Sequence, residues 1–194
     1  MLISQGPERR LQHSLFVPET PLGAGASIRF TDIERTFDKL PVDTAGDLIV
    51  DAKTEAALAQ ATAQLPYAAQ FADTALARYR FLIGKTLPSP ASDTYAELLD
   101  RYIQYRRAEQ AAAVLTPAVT LEAQFAHFEA ARRLRNRFFS AEISAALFGV
   151  QDALAEYTFA LRRVEADASL NDAQRDIAKA QLQASYDARQ QLHR

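Results

Sequence analysis

Tyr95, Leu98, Leu99, Tyr102 and Ile103 fall at i, i+3, i+4, i+7 and i+8, the spacing that lines one face of an α-helix. A strand would scatter them, because its side chains alternate faces at every residue. Helical spacing recurs along Leu121, Phe125 and Phe128, with Leu134 farther on, and again along Val150, Leu154, Tyr157, Leu161 and Val164. The last set steps by four and three, which is a narrow helix–helix seam. Conspicuous alanine, the best helix former, fills the positions between. Only six glycines and eight prolines interrupt 194 residues, and several of the prolines sit between periodic segments. The pattern predicts an all-α chain.

Punctuation divides it into three regions. Pro18, Pro21, Gly23 and Gly25 make 1–39 an irregular N-terminal arm, with a short helix over 32–40 ended by Pro41. Residues 40–91 read as a helical mini-domain. Gly46 and Asp47 mark a turn between the short apolar pieces Val42 and Leu48 to Val50. Helices are expected over 53–65 and 67–83, the second capped by Gly84, then a break at 87–91. Residues 92–194 read as an extended helical domain. Thr94 and Glu97 fit a capping box, and Thr116-Pro117 restarts a helix after Leu115. Ser140 caps a short helix closed by Gly149, and Ser169 or Asn171 starts the last one. The apolar stripes from 92 onward are thin. The expected architecture is therefore an extended multi-helix array with a small N-terminal helical mini-domain, not a compact bundle.

Composition narrows function. No cysteine is present, which removes disulfides, zinc–thiolate sites and thiol catalysis. His13, His127 and His193 lie far apart, without ligand spacing. No phosphate-cradling glycine loop or Gly-x-Ser-x-Gly elbow occurs, so the chain is not expected to be an enzyme or to carry a cofactor. A net charge of −2 gives no pull toward nucleic acid, and no stretch approaches the ~20 apolar residues of a membrane span.

Another protein remains as the expected partner. Aromatic residues recur along the C-terminal helices beyond what thin stripes bury, and tyrosine and arginine are favoured at interfaces. The run Arg132-Arg133-Leu-Arg135-Asn-Arg137 reads either as a docking patch for an acidic surface or as a solvated helix end with i,i+4 support from Glu129 to Arg133. The candidate partner-binding residues are Tyr102, Tyr105, Arg106, Arg133, Arg137, Phe139 and Phe159.

Five segments carry a family resemblance. Leu98-Leu-Asp-Arg-Tyr-Ile-Gln-Tyr-Arg-Arg-Ala108 resembles the start of the extended helical region of the lipase-specific foldases, or lipase chaperones. Arg135-Asn-Arg-Phe-Phe-Ser-Ala-Glu-Ile-Ser-Ala-Ala-Leu-Phe-Gly149 is similar to a later stretch of that family. Glu156-Tyr-Thr-Phe-Ala-Leu-Arg-Arg-Val164 and Ala168-Ser-Leu-Asn-Asp172 continue the likeness in order. Upstream, Leu40-Pro-Val-Asp-Thr-Ala-Gly-Asp-Leu-Ile-Val-Asp51 resembles the lead-in to the family's first mini-domain. The family's Arg-x-x-Phe-Asp-Tyr-x-x-Ser-x-x-Gly-Glu signature is not matched. An ungapped alignment sets Glu55, Leu58, Ala59, Gln60, Ala63, Pro66 and Tyr67 there.

The resemblance implies a steric chaperone that embraces a secreted lipase or related hydrolase in the periplasm and assists its folding without ATP. It implies membrane contact only through an anchor absent from this chain. The alternative is a helical scaffold or self-associating module without foldase activity.

Overall fold

The computed structural model describes residues 29–63, 69–112 and 119–192. Among them the chain forms seven helices: α1 (Phe30–Phe37), α2 (Ala52–Ala63), α3 (Ala69–Thr86), α4 (Ser89–Ala112), α5 (Leu121–Arg135), α6 (Ala141–Ala166) and α7 (Asp172–Leu192). The one extended pairing among these residues is an isolated antiparallel bridge between Val42 and Leu48. The fold is all-α, as the periodicity predicts. The expectations for 1–28, for the end of a helix at 64–65 and for a restart at Thr116-Pro117 lie outside the described residues.

Two compact units emerge, Met1–Ile49 with Ala56–Asp100, and Val50–Glu55 with Arg101–Arg194. In the first, the Phe37 ring meets Tyr79 edge-on at 6.3 Å and Tyr95 at 5.2 Å, with Ile33, Leu58 and Ile83 also fully buried. Such ring pairs stabilise by about 0.5–1.5 kcal/mol beyond the area they bury. The Tyr79 hydroxyl donates to the Ala61 carbonyl at 3.0 Å, so the polar end of this large side chain is satisfied. Gly46 turns the chain between Val42 and Leu48 at φ +87°, a conformation glycine adopts without a Cβ penalty.

Several helix boundaries differ from those expected of the sequence, the first being α1, which spans Phe30–Phe37 and not 32–40. Gly84 lies inside α3, which runs on to Thr86, and no atom within 4 Å would meet a Cβ there. Helix α4 starts at Ser89, because Pro90 is tolerated in a first turn. Thr94 is therefore interior, and its hydroxyl donates back to the Pro90 carbonyl at 3.0 Å instead of capping. Ser140 does cap α6, its Oγ accepting from the Ile143 N–H at 3.2 Å, but the helix continues through Gly149 to Ala166. A single interior glycine costs about 1 kcal/mol, and the packing of Leu147, Phe148 and Ala153 around it outweighs that. Asn171 opens α7 as expected, with reciprocal hydrogen bonds between its backbone and side chain and those of Gln174.

Candidate partner-binding surface

The second unit is organised by two carboxylates one turn apart on α6. Asp152 Oδ1 takes Arg135 Nη2 at 2.8 Å, and Glu156 Oε1 takes Arg132 Nη1 at 2.8 Å, both arginines coming from α5. The other Glu156 oxygen takes Arg189 Nη1 of α7 at 2.6 Å. One helix thus holds its two neighbours through adjacent acids. Pairing is antiparallel on both sides. Arg162 reaches Gln124 while Asp152 reaches Arg135, and Glu165 meets Lys179 while Tyr157 stacks on Tyr186 at 4.9 Å.

The basic run therefore splits in two. Arg132 and Arg135 are internal ties, and Arg135, almost completely buried, also lies 4.6 Å over the Phe148 ring. The expected pairing of Glu129 with Arg133 is replaced by Glu129 with Arg132 at 3.1 Å. Arg132 is drawn to α6 by Asp152 and Glu156 and takes Glu129 with it. Arg133 and Arg137 stay exposed and make no ion pair among the described residues.

Three of the candidate contact residues lie inside. Tyr102, Tyr105 and Phe139 are 2 %, 5 % and 3 % exposed, and they form an aromatic core with Phe148. Tyr102 stacks on Phe148 at 6.4 Å, and Tyr105 meets Phe139 and Phe148 edge-on at 6.0 Å. In this chain they build the support beneath the surface. The Tyr102 hydroxyl donates to Glu55 Oε1 at 2.7 Å, and Gln151 Nε2 donates to the other Glu55 oxygen at 3.1 Å. The Tyr105 hydroxyl donates to Glu109 at 2.6 Å, and half-buried Arg106 pairs with the same carboxylate. Burial, and secondarily the neighbouring glutamates, push both tyrosine pKa values well above the ordinary phenol range.

Phe159 is half-buried. It packs against Phe125 at 5.4 Å and Phe128 at 5.7 Å, with Arg163 lying 4.2 Å over the Phe125 ring. The cluster leaves aromatic surface available between α5 and α6.

Arg133 and Arg137 line a groove of about 410 Å³ beside the end of α4. Ala112, Ala130, Ala131 and Leu134 give it an apolar lining, and Glu109 and His127 complete the rim. In the sequence His127 stands out only for its lack of ligand spacing, and Glu109 carries no expected role. The legible signal was the helical spacing of His127, Ala130, Ala131 and Leu134. No group of three or more potential metal ligands occurs among the described residues, and no helix among them is long and apolar enough to cross a membrane.

Residues 98–194, half of the chain, match the family model for the proteobacterial lipase chaperone protein. That stretch coincides closely with the second unit. A lipase chaperone of Acinetobacter baylyi is 37 % identical over 109 residues, covering 53 % of this chain and 29 % of that protein. A lipase chaperone of Pseudomonas wisconsinensis is 34 % identical over 100 residues, covering 47 % of this chain and 28 % of that protein. The match thus spans under a third of the length of these relatives. No solved structure matches the chain.

Proposed function

Since this chain belongs to the proteobacterial lipase chaperone family, we propose that it binds a secreted lipase or related hydrolase and assists its folding sterically, without ATP. The observation that carries this reading is the overlap of the family match at 98–194 with the compact unit built on α4 to α7. The mechanism is differential binding. A surface that holds the near-native client more tightly than misfolded forms shifts the client's folding equilibrium by that difference in affinity. Arg133, Arg137 and the exposed part of Phe159 are the proposed contacts. Tyr102, Tyr105, Arg106 and Phe139 hold the helices that present them. A single binding surface needs neither cofactor nor nucleotide. The balanced net charge gives no long-range pull toward nucleic acid. We place this action in the periplasm, in support of lipid degradation, on the strength of the family.

Complex formation tests the reading. The chain and its cognate lipase, diluted together from denaturant, should co-elute on a sizing column as one species. Separate elution at micromolar concentrations of both would overturn it.

One observation favours a second reading. Val150 and Leu154, one turn apart on α6, are 36 % and 51 % exposed, which is an apolar strip suited to self-association. Light scattering decides: a stable homo-oligomer lost in V150S/L154S supports a scaffold, whereas a monomer removes it.

A further inference from the structure

We propose that the groove between the end of α4 and the last turns of α5 docks an acidic, amphipathic peptide segment of the client. The segment's carboxylates would meet Arg133 and Arg137, and an apolar side chain would enter between them. This rests on the reading that the chain binds a protein client, and it names the chemistry of one contact.

Charge selects the occupant. Four arginines crowd α5 and the turn after it, and the pairs on Arg132 and Arg135 are met within the unit. Arg133 and Arg137 are exposed without ion pairs among the described residues. The acidic group on the same rim, Glu109, is already held by Arg106 and by the Tyr105 hydroxyl. His127 adds no negative charge. Among the described residues the rim therefore carries two guanidinium groups without an ion pair, whose planar forks suit carboxylates.

Size and lining select a peptide over a small anion. A groove of about 410 Å³ falls within the roughly 300–1,000 Å³ of ligand sites and exceeds what one carboxylate or phosphate fills. Leu134 and three alanines give a free anion nothing to bind, but they fit an aliphatic side chain flanked by acids. The arginines also sit on fixed backbone. Helix α5 is capped by Thr120, and the Arg137 N–H donates to the Leu134 carbonyl at 3.0 Å. Little backbone ordering is left for the moment of binding, so the ordering cost falls on the two arginine side chains.

The test uses the full chain and a short synthetic peptide with glutamate and leucine at helical spacing, beside a twin with glutamine in place of glutamate. Titration calorimetry should show the acidic peptide binding about tenfold tighter than its twin, with the preference lost in R133Q/R137Q and partly kept in R133K/R137K. Amide shifts in NMR should centre on Ala130, Ala131 and Leu134. Equal binding of the twins, or a preference that survives R133Q/R137Q, would overturn the proposal. So would inorganic phosphate or phosphatidylglycerol vesicles displacing the peptide as well as unlabelled peptide does, because the site would then be a general anion site. The same variant, mixed with the cognate lipase, separates the two readings. If wild type and R133Q/R137Q hold the lipase equally, the groove assignment falls and the lipase reading stands. If wild type binds the acidic peptide selectively but no lipase, the lipase reading falls and the groove assignment stands.

Discussion

The Tyr102 hydroxyl and the Glu55 carboxylate, 47 residues apart in sequence, meet at 2.7 Å and bind the first turn of α2 to the middle of α4. Glu55 is 8 % exposed, and its other oxygen is held by Gln151. A buried carboxylate that loses a donor keeps its full desolvation cost. Y102F should therefore destabilise the chain by about 1–3 kcal/mol, although it removes a single atom. Urea unfolding measures this. A second substitution, E55Q, should recover part of the loss, because the neutral amide is cheaper to leave underpaired. Unchanged stability in Y102F would mean the contact contributes nothing.

Arg135 and Arg132 are three residues apart and should behave differently. Arg135 is buried against Asp152 and Phe148, so R135A leaves Asp152 only its longer 3.6 Å contact with Arg132, removes the packing over Phe148 and should cost about 3 kcal/mol. The Arg132 side chain is 39 % exposed, and R132A should cost about 1 kcal/mol or less, with a contribution that shrinks in high salt. Equal losses in thermal melts of the two variants would contradict this division.

Most of the secondary structure is legible in the sequence, since helical periodicity and caps such as Ser140 and Asn171 are local signals. The Gly84 and Gly149 boundaries were not. A glycine ends a helix only if packing does not carry the helix past it, and the packing around Leu147 and Phe148 is set by residues far away in sequence. The candidate surface was half legible. Arg133 and Arg137 stood out as charge, but their separation from Arg132 and Arg135 depends on where Asp152 and Glu156 lie in space. Tyr102, Tyr105 and Phe139 illustrate the converse. Tyr105 and Phe139 fall off the apolar stripes and Tyr102 lies on one, yet all three are buried once Phe148 of another helix is brought against them.

Alkali should expose the buried phenols. In the folded chain the pKa values of Tyr79, Tyr95, Tyr102 and Tyr105 are raised, chiefly by burial. The unfolded chain then releases their protons first, near the ordinary value of about 10. Stability is fully present below that pH and is lost as pH rises above it. Absorbance at alkaline pH should show these four ionising together with unfolding, later than tyrosine in a denatured control. Ionisation at about pH 10 with the helical signal intact would contradict their burial.

Leu147 and Leu154 lie two turns apart on α6 with opposite surroundings, fully buried and 51 % exposed. L147A should cost about 2–5 kcal/mol, whereas L154A should cost under about 1 kcal/mol. Chemical denaturation of the two single variants compares them directly. A reversed order would mean that α6 presents a different face to its neighbours.

Co-refolding tests the central claim most directly. The cognate lipase is diluted from denaturant with and without this chain, in buffer free of ATP, and esterase activity is followed. Activity recovered only with the chain present, in proportion to its concentration up to equimolar, is the result expected of a steric lipase chaperone. Identical recovery with and without it, under conditions where the chain itself is folded, would contradict that function.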